Sequence, residues 1–177
     1  MKTYAALSSS LMFLTIWSCS SQTHILPHTL EKITEQKHFS FKAQRAHPTN
    51  QDVRAVMNIH PTHSSARLYE LNTETYGMDV KEKEITVYLP YYGRRFVATM
   101  DPNDNGLNFT SNHYLYDKKN TKKGGYIITI TPKDAKAVQK IFIEISKNGS
   151  AYLSVQANDR TPISYSGYIT EMKSETK

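Results

Sequence analysis

The chain has 177 residues, 38% hydrophobic and 21% charged, with a net charge of +6 and one cysteine. That length builds a core without covalent staples, and a lone cysteine leaves no disulfide partner within the chain. The lysines are scattered apart from Lys118, Lys119, Lys122 and Lys123. With no basic helix, zinc-finger spacing or RNA-recognition motif, the surplus charge reads as a lysine-rich surface, and nucleic acid is not an expected partner.

The N-terminus "MKTYAALSSSLMFLTIWSCSSQ" has a positive start at Lys2 and an apolar run from Leu11 to Trp17. The run is too short to span a bilayer, which takes roughly 20 apolar residues, and suits a secretory signal over residues 1–18. Cys19 follows directly, and "IWSC" resembles a bacterial lipobox, with Ile16 in place of the usual leucine and a bulky Trp17. Cys19 is the expected lipidation site and the membrane anchor. Removing Lys2 from the 22 basic residues, against 16 acidic ones, leaves the mature chain at +5. No acid follows the cysteine in "SSQTH", which favours a periplasm-facing outer-membrane location over export to the cell surface.

Residues 19–28 read as a polar tether. "LPHTLEKITEQK" (Leu26 to Lys37) carries Leu30 and Ile33 at helical spacing, with Thr29 as the expected cap and Pro27 just outside. From there the period becomes alternating. Phe39 and Phe41 share a face, and Leu68 and Leu71 mark a second strand. Ile85, Val87 and Leu89 follow, then Phe96 and Ala98, then Leu107, Phe109 and Leu115. Tyr126, Ile128 and Ile130 come next, then Ile141, Ile143 and Ile145. Leu153, Val155 and Ala157, and finally Ile163, Tyr165 and Ile169, complete the series. Twelve tyrosines, most inside these runs, fit pleated, half-buried surfaces.

The turn signals between runs are "DPNDNG", "KKNTKKGG", "KNGS" and "NDRTP", with the Asn-Gly pair of "KNGS" suited to a type I′ hairpin. About eight or nine strands at hairpin spacing predict an all-β fold, an antiparallel β-barrel with a short N-terminal helix, closed to manage its edges. The single domain spans residues 29–171, before a polar tail at 172–177, and 49–65 is a long connection or a weak strand.

No motif commits the chain to chemistry. "DPNDNG" opens like a calcium loop, but the twelfth position, where a bidentate glutamate belongs, is Asn112, so a turn is the better reading. His60 and His63 in "HPTH" need a third zinc ligand, which would have to come from afar, from a residue such as His47 or His113, and nothing in the sequence fixes such a meeting. Glu82 and Glu84 belong to a charged "KEKE" face. There is no nucleophile elbow and no phosphate loop. No metal, no cofactor and no catalytic residue is expected.

The stretches "FSFKAQRAHP", "ITVYLPYYGRRF", "NGLNFTS", "KKGGYIITITPKD", "IFIEISKNGSAYLSV" and "RTPISYSGYI" occur in order from Phe39 to Ile169. In combination they resemble the domain-of-unknown-function family 4251 of small Gram-negative envelope lipoproteins. The resemblance implies a lipocalin-like antiparallel barrel. It carries over no activity, substrate or catalytic residue.

Within "LPYYGRRF", Pro90 ends a strand because it cannot donate to the ladder, and Gly93 frees the bend. The rim residues Tyr91, Tyr92, Arg94, Arg95 and Phe96 are the candidate ligand-binding set, since tyrosine and arginine dominate binding surfaces. Alternation puts Arg94 and Phe96 on one face and Arg95 on the other, with Phe96 expected in the core. The leading functional expectation is a non-catalytic lipoprotein holding a small apolar or amphipathic envelope ligand in or at the barrel mouth. The alternatives are a solid barrel that contacts envelope proteins, and an undetected hydrolase. An outward Arg94 above inward-packed tyrosines favours the solid barrel.

Overall fold

The computed structural model describes residues 22–49, 69–96 and 106–172. Among the described residues, one helix, α1 (Pro27–Glu35), precedes nine strands. These are β1 (Phe39–Pro48), β2 (Gly77–Lys81), β3 (Glu84–Pro90), β4 (Gly106–Ser111), β5 (Tyr114–Asn120), β6 (Tyr126–Pro132), β7 (Val138–Ile145), β8 (Ser150–Ala157) and β9 (Ile163–Thr170). They form one sheet in the order β4-β3-β2-β1-β9-β8-β7-β6-β5. Every adjacent pair is antiparallel. The sheet curls into a nearly closed barrel, as the alternation predicts.

Antiparallel pairing throughout that order makes β4 and β5, its two ends, run in the same direction when the sheet is laid flat. Asn112 and His113, the two residues between them, therefore cannot be a hairpin that folds the chain back. They turn a corner, carrying the chain from one edge of the sheet to the other, as strands do when they switch sides of a closed or folded sheet. Asp134 holds the corner. Its carboxylate accepts from the Ser111 hydroxyl and, at 2.9 Å, from the Asn112 amide, and the Lys133 amide donates to the His113 carbonyl at 2.7 Å. The Ser111 hydroxyl, followed by backbone amides, keeps the Asp134 carboxyl below the usual carboxylate range.

The inner face is apolar. Phe39, Phe41, Ile85, Leu89, Ile128, Ile130, Ile141, Ile143, Leu153 and Tyr165 are fully buried. Register stacks them in rows, with Ile128 opposite Ile143 and Ile143 opposite Leu153. Each such aliphatic or aromatic burial contributes about 1.5–3 kcal/mol. Helix α1 adds Leu30 and Ile33 to the same core.

Several expectations are corrected. Helix α1 starts at Pro27, not after it, with Leu26 as N-cap. The proline needs no amide partner in a first turn and its fixed φ suits one, while the Thr29 hydroxyl meets the His28 ring instead of capping. The second strand lies at Gly77–Lys81, with Met78 and Val80 buried, rather than around Leu71; Leu68 lies outside the described residues. Leu115 is 59% exposed. The corner sets the phase so that Tyr114 and Tyr116 face inward and span the open side, donating to the Lys81 and Thr34 carbonyls respectively.

The turn at "KNGS" is not type I′ either, because only Gly149 has positive φ (+86°). The Gly149 amide donates to the Ser146 carbonyl and the Ser146 amide to that of Ser150, the pattern of a three-residue tip ending in a left-handed glycine. The β5–β6 tip repeats it, with Gly124 at φ +77°. In "KEKE", Glu82 and Lys83 form the β2–β3 turn and Glu84 pairs with Lys81 at 3.0 Å, so the two glutamates do not share a strand face.

Candidate functional site

β3 ends at Pro90, which pairs with Gly106 at the start of β4. Beyond it the chain crosses the barrel mouth and lies along the connection between β8 and β9. The Thr161 amide donates to the Arg94 carbonyl at 2.9 Å, the Phe96 amide donates to the Asp159 carbonyl at 2.7 Å, and Arg95 bridges Arg160. Pairing with that connection, rather than with a sheet neighbour, decides which way each side chain points. Arg95 turns in, with 18% of its side chain exposed and its guanidinium 3.5 Å from the Asp159 carboxylate. Arg94 is exposed, and Phe96 is 65% exposed. Arg94 and Phe96 thus share a face as alternation requires, but it is the outer face, and Phe96 is not a core residue.

The two tyrosines pack against the core. The Tyr91 hydroxyl lies 2.9 Å from the Arg94 carbonyl, 3.0 Å from the Thr161 carbonyl and 2.8 Å from the Thr161 hydroxyl. Tyr92 meets Tyr69 edge to face at 5.8 Å, and burial raises its hydroxyl pKa. Gly93 is needed because a Cβ there would strike the Tyr91 ring and hydroxyl.

Asp159 and Arg160, which read in the sequence only as part of a turn, organise the mouth. Arg160 is buried at 4% exposure. It forks onto Asp159, with Nε to Oδ1 at 2.9 Å and Nη2 to Oδ2 at 2.7 Å. Its Nη1 donates to the Gly106 carbonyl at 2.8 Å, and its guanidinium stands 5.1 Å from the Tyr91 ring centroid. The Arg160 hydrogen bonds are the main reason the Asp159 carboxyl titrates below the usual range. Tyr165 is buried on β9 and donates to the Pro90 carbonyl at 2.7 Å; burial pushes its hydroxyl far above the usual range.

β9 and β3 are separated by β1 and β2 in the sheet order. Tyr165 to Pro90, Tyr91 to Thr161 and Arg160 to Gly106 are therefore ties across the mouth, not along its wall. They bind the polar groups of the rim to one another over an apolar core. Of the five candidate residues, Tyr91, Tyr92 and Arg95 turn inward, whereas Arg94 and Phe96 face solvent. The sequence carried one hint of the arrangement: a buried tyrosine such as Tyr165 ordinarily finds a partner for its hydroxyl.

Cys19, His60, His63 and the turn residues Asp101 to Asn105 lie outside the described residues. His47 contacts the Ser166 hydroxyl at 2.9 Å on the β1–β9 face, and His113 sits in the corner. Among the described residues, no three His, Cys, Asp or Glu side chains come close enough to hold a metal. Surface clefts of ≈ 380 Å³ between α1 and β5, ≈ 460 Å³ at the β4–β5 corner, and ≈ 460 Å³ between the β5–β6 and β7–β8 tips lie away from the mouth.

A family model described as "Domain of unknown function (DUF4251)" matches residues 26–169. Among solved structures, the crystal structure of a DUF4251 family protein from Bacteroides eggerthii DSM 20697 is similar. Its TM-score is 0.52 at 11% identity, over 82% of this chain and 87% of that one. No curated protein matches the chain.

Proposed function

The chain belongs to the DUF4251 family, and on that premise we propose that it is a non-catalytic lipoprotein of the cell envelope, anchored through Cys19, that presents the outside of a solid barrel to a protein partner. The observation that carries this reading is the lacing of the mouth. Tyr91, Tyr165 and Arg160 are engaged with backbone carbonyls and Asp159, so recognition by these groups would first have to break contacts across the barrel.

The outer wall supports the same reading. β5 and β4 end the sheet order, so each leaves one edge without a strand partner among the described residues, and unpaired edges accept strands from partners. Beside the β5 edge, Leu115 is 59% and Ile127 41% exposed, on the outward faces of β5 and β6. The periplasm-facing outer membrane is the proposed location.

A photo-crosslinking residue at Leu115, in the protein expressed in its native envelope, tests the reading. A discrete protein adduct is expected there and not from the same residue at Lys136 by the mouth. No protein adduct at Leu115, with a small molecule retained through purification, contradicts it. Incorporation of a palmitate analogue at Cys19, lost in Cys19→Ser, tests the anchor; an unlabelled, freely soluble mature protein refutes it.

A further inference from the structure

The β5–β6 and β7–β8 hairpins end side by side in matching tips, Lys122-Lys123-Gly124 and Lys147-Asn148-Gly149. All three lysines are exposed, and among the described residues none of them meets a carboxylate. The cleft of ≈ 460 Å³ between the tips is lined by these lysines against one acid, Glu144. Charge of one sign in a concave site facing solvent is suited to an anion.

A second observation comes from the start of the described chain, which is docked on the same tip. The His24 amide donates to the Asn148 carbonyl at 2.9 Å, and Asn148 Nδ2 donates to the Gln22 carbonyl at 3.2 Å. The His24 ring stacks on Tyr168 at 4.5 Å, and Ile25 lies against Gly149, where a Cβ would strike it. Gln22 is therefore held at the β7–β8 tip. Three residue steps separate it from Cys19, and fully extended they reach at most about 11 Å. An acyl group on Cys19 thus keeps the lysine tips within about a Debye length of the lipid headgroups, where attraction between exposed charges is not yet screened away.

We infer that this end of the barrel is a membrane-facing surface, on which Lys122, Lys123 and Lys147 contact the phosphates of anionic lipid headgroups and hold the barrel upright with its laced mouth away from the bilayer. The inference rests on the anchored reading. β8 runs from the tip at Ser150 to the mouth side at Ala157, so the two ends of the barrel are opposed.

The test uses the mature chain, residues 19–177, carrying Cys19→Ser, which lacks both the apolar signal and the acyl group and so isolates the lysine surface. It is sedimented with vesicles of phosphatidylethanolamine alone, or with about a third phosphatidylglycerol. Each lysine near an anionic surface strengthens partitioning about fivefold, so the three together give a preference of about a hundredfold for the anionic vesicles. Lys122→Gln, Lys123→Gln and Lys147→Gln in combination remove that preference. The matched set Lys133→Gln, Lys136→Gln and Lys140→Gln, exposed around the ends of β6 and β7 remote from the tips, takes away the same charge and leaves that preference in place. Equal binding to both vesicles, or equal loss in both triple variants, overturns the inference. Failure of the anchor is read separately, from palmitate labelling of unmodified Cys19, so the two readings fail independently.

Discussion

Replacing Arg160 with alanine removes the group that ties the β8–β9 connection to the start of β4. Arg160 is 4% exposed and donates three hydrogen bonds, two to Asp159 and one to the Gly106 carbonyl. Deleting one member of a buried ion pair costs about 3–5 kcal/mol, because the other charge is left without compensation. Asp159 keeps 20% of its side chain in solvent and can recover some hydration, which places the cost near the bottom of that range, about 3 kcal/mol. At about 2–4 °C per kcal/mol for a chain of this size, the melting temperature falls by about 6–12 °C. Urea denaturation followed by circular dichroism at neutral pH measures the loss. Arg160→Lys keeps the charge but not the planar fork and should fall between alanine and wild type. Asp159→Asn combined with Arg160→Ala should cost less than the two single losses added, since the two residues share one interaction. A loss below about 1 kcal/mol for Arg160→Ala would refute the view that this guanidinium closes the mouth.

Other outcomes follow from the same contacts. Asp159 and Asp134 both titrate below the usual carboxylate range, chiefly through hydrogen bonds from Arg160 and Ser111. Their contribution to stability is complete above the unfolded-state pKa of about 3.9 and is lost as pH falls through the lower folded value. Urea midpoints should therefore be flat in these two groups near neutrality and drop below about pH 4, less steeply in Asp159→Asn; an unchanged acid slope in that variant contradicts the assignment. Gly167→Ala drives a methyl into the Lys42 carbonyl across the β1–β9 ladder and should destabilise by about 1–3 kcal/mol or more, with a neutral result disproving that register. Arg94→Ala and Phe96→Ala, both exposed, should stay within about 0.5 kcal/mol of wild type; a larger loss would mean that the outward face of this segment is buried.

The strands legible in the sequence were those with two or three β-branched or aromatic residues at period two, such as Ile141, Ile143 and Ile145, all buried as the alternation requires. β2 escaped because "GMDVK" offers only Met78 and Val80 between charged and turn residues, too short a pattern to outweigh the apolar residues before it. Phe96 and Leu115 were misplaced for one shared reason. Alternation gives which residues lie together on a face, whereas which face is inward depends on a corner or a crossing segment set by distant partners: Asp134 for the corner that leads into β5, and Asp159 to Thr161 for Phe96. The lacing of the mouth was illegible for the same cause. Arg160 and Gly106 stand 54 positions apart and Tyr91 and Thr161 70 apart, and no local pattern joins them.

Native mass spectrometry of the protein, extracted from its own envelope in mild detergent without heating, tests the central claim most directly. A solid barrel with its mouth laced shut predicts the mass of the acylated chain alone, or of that chain with a protein partner. A small molecule retained at one copy per chain, and lost when the mouth is disrupted by Arg160→Ala, would contradict it.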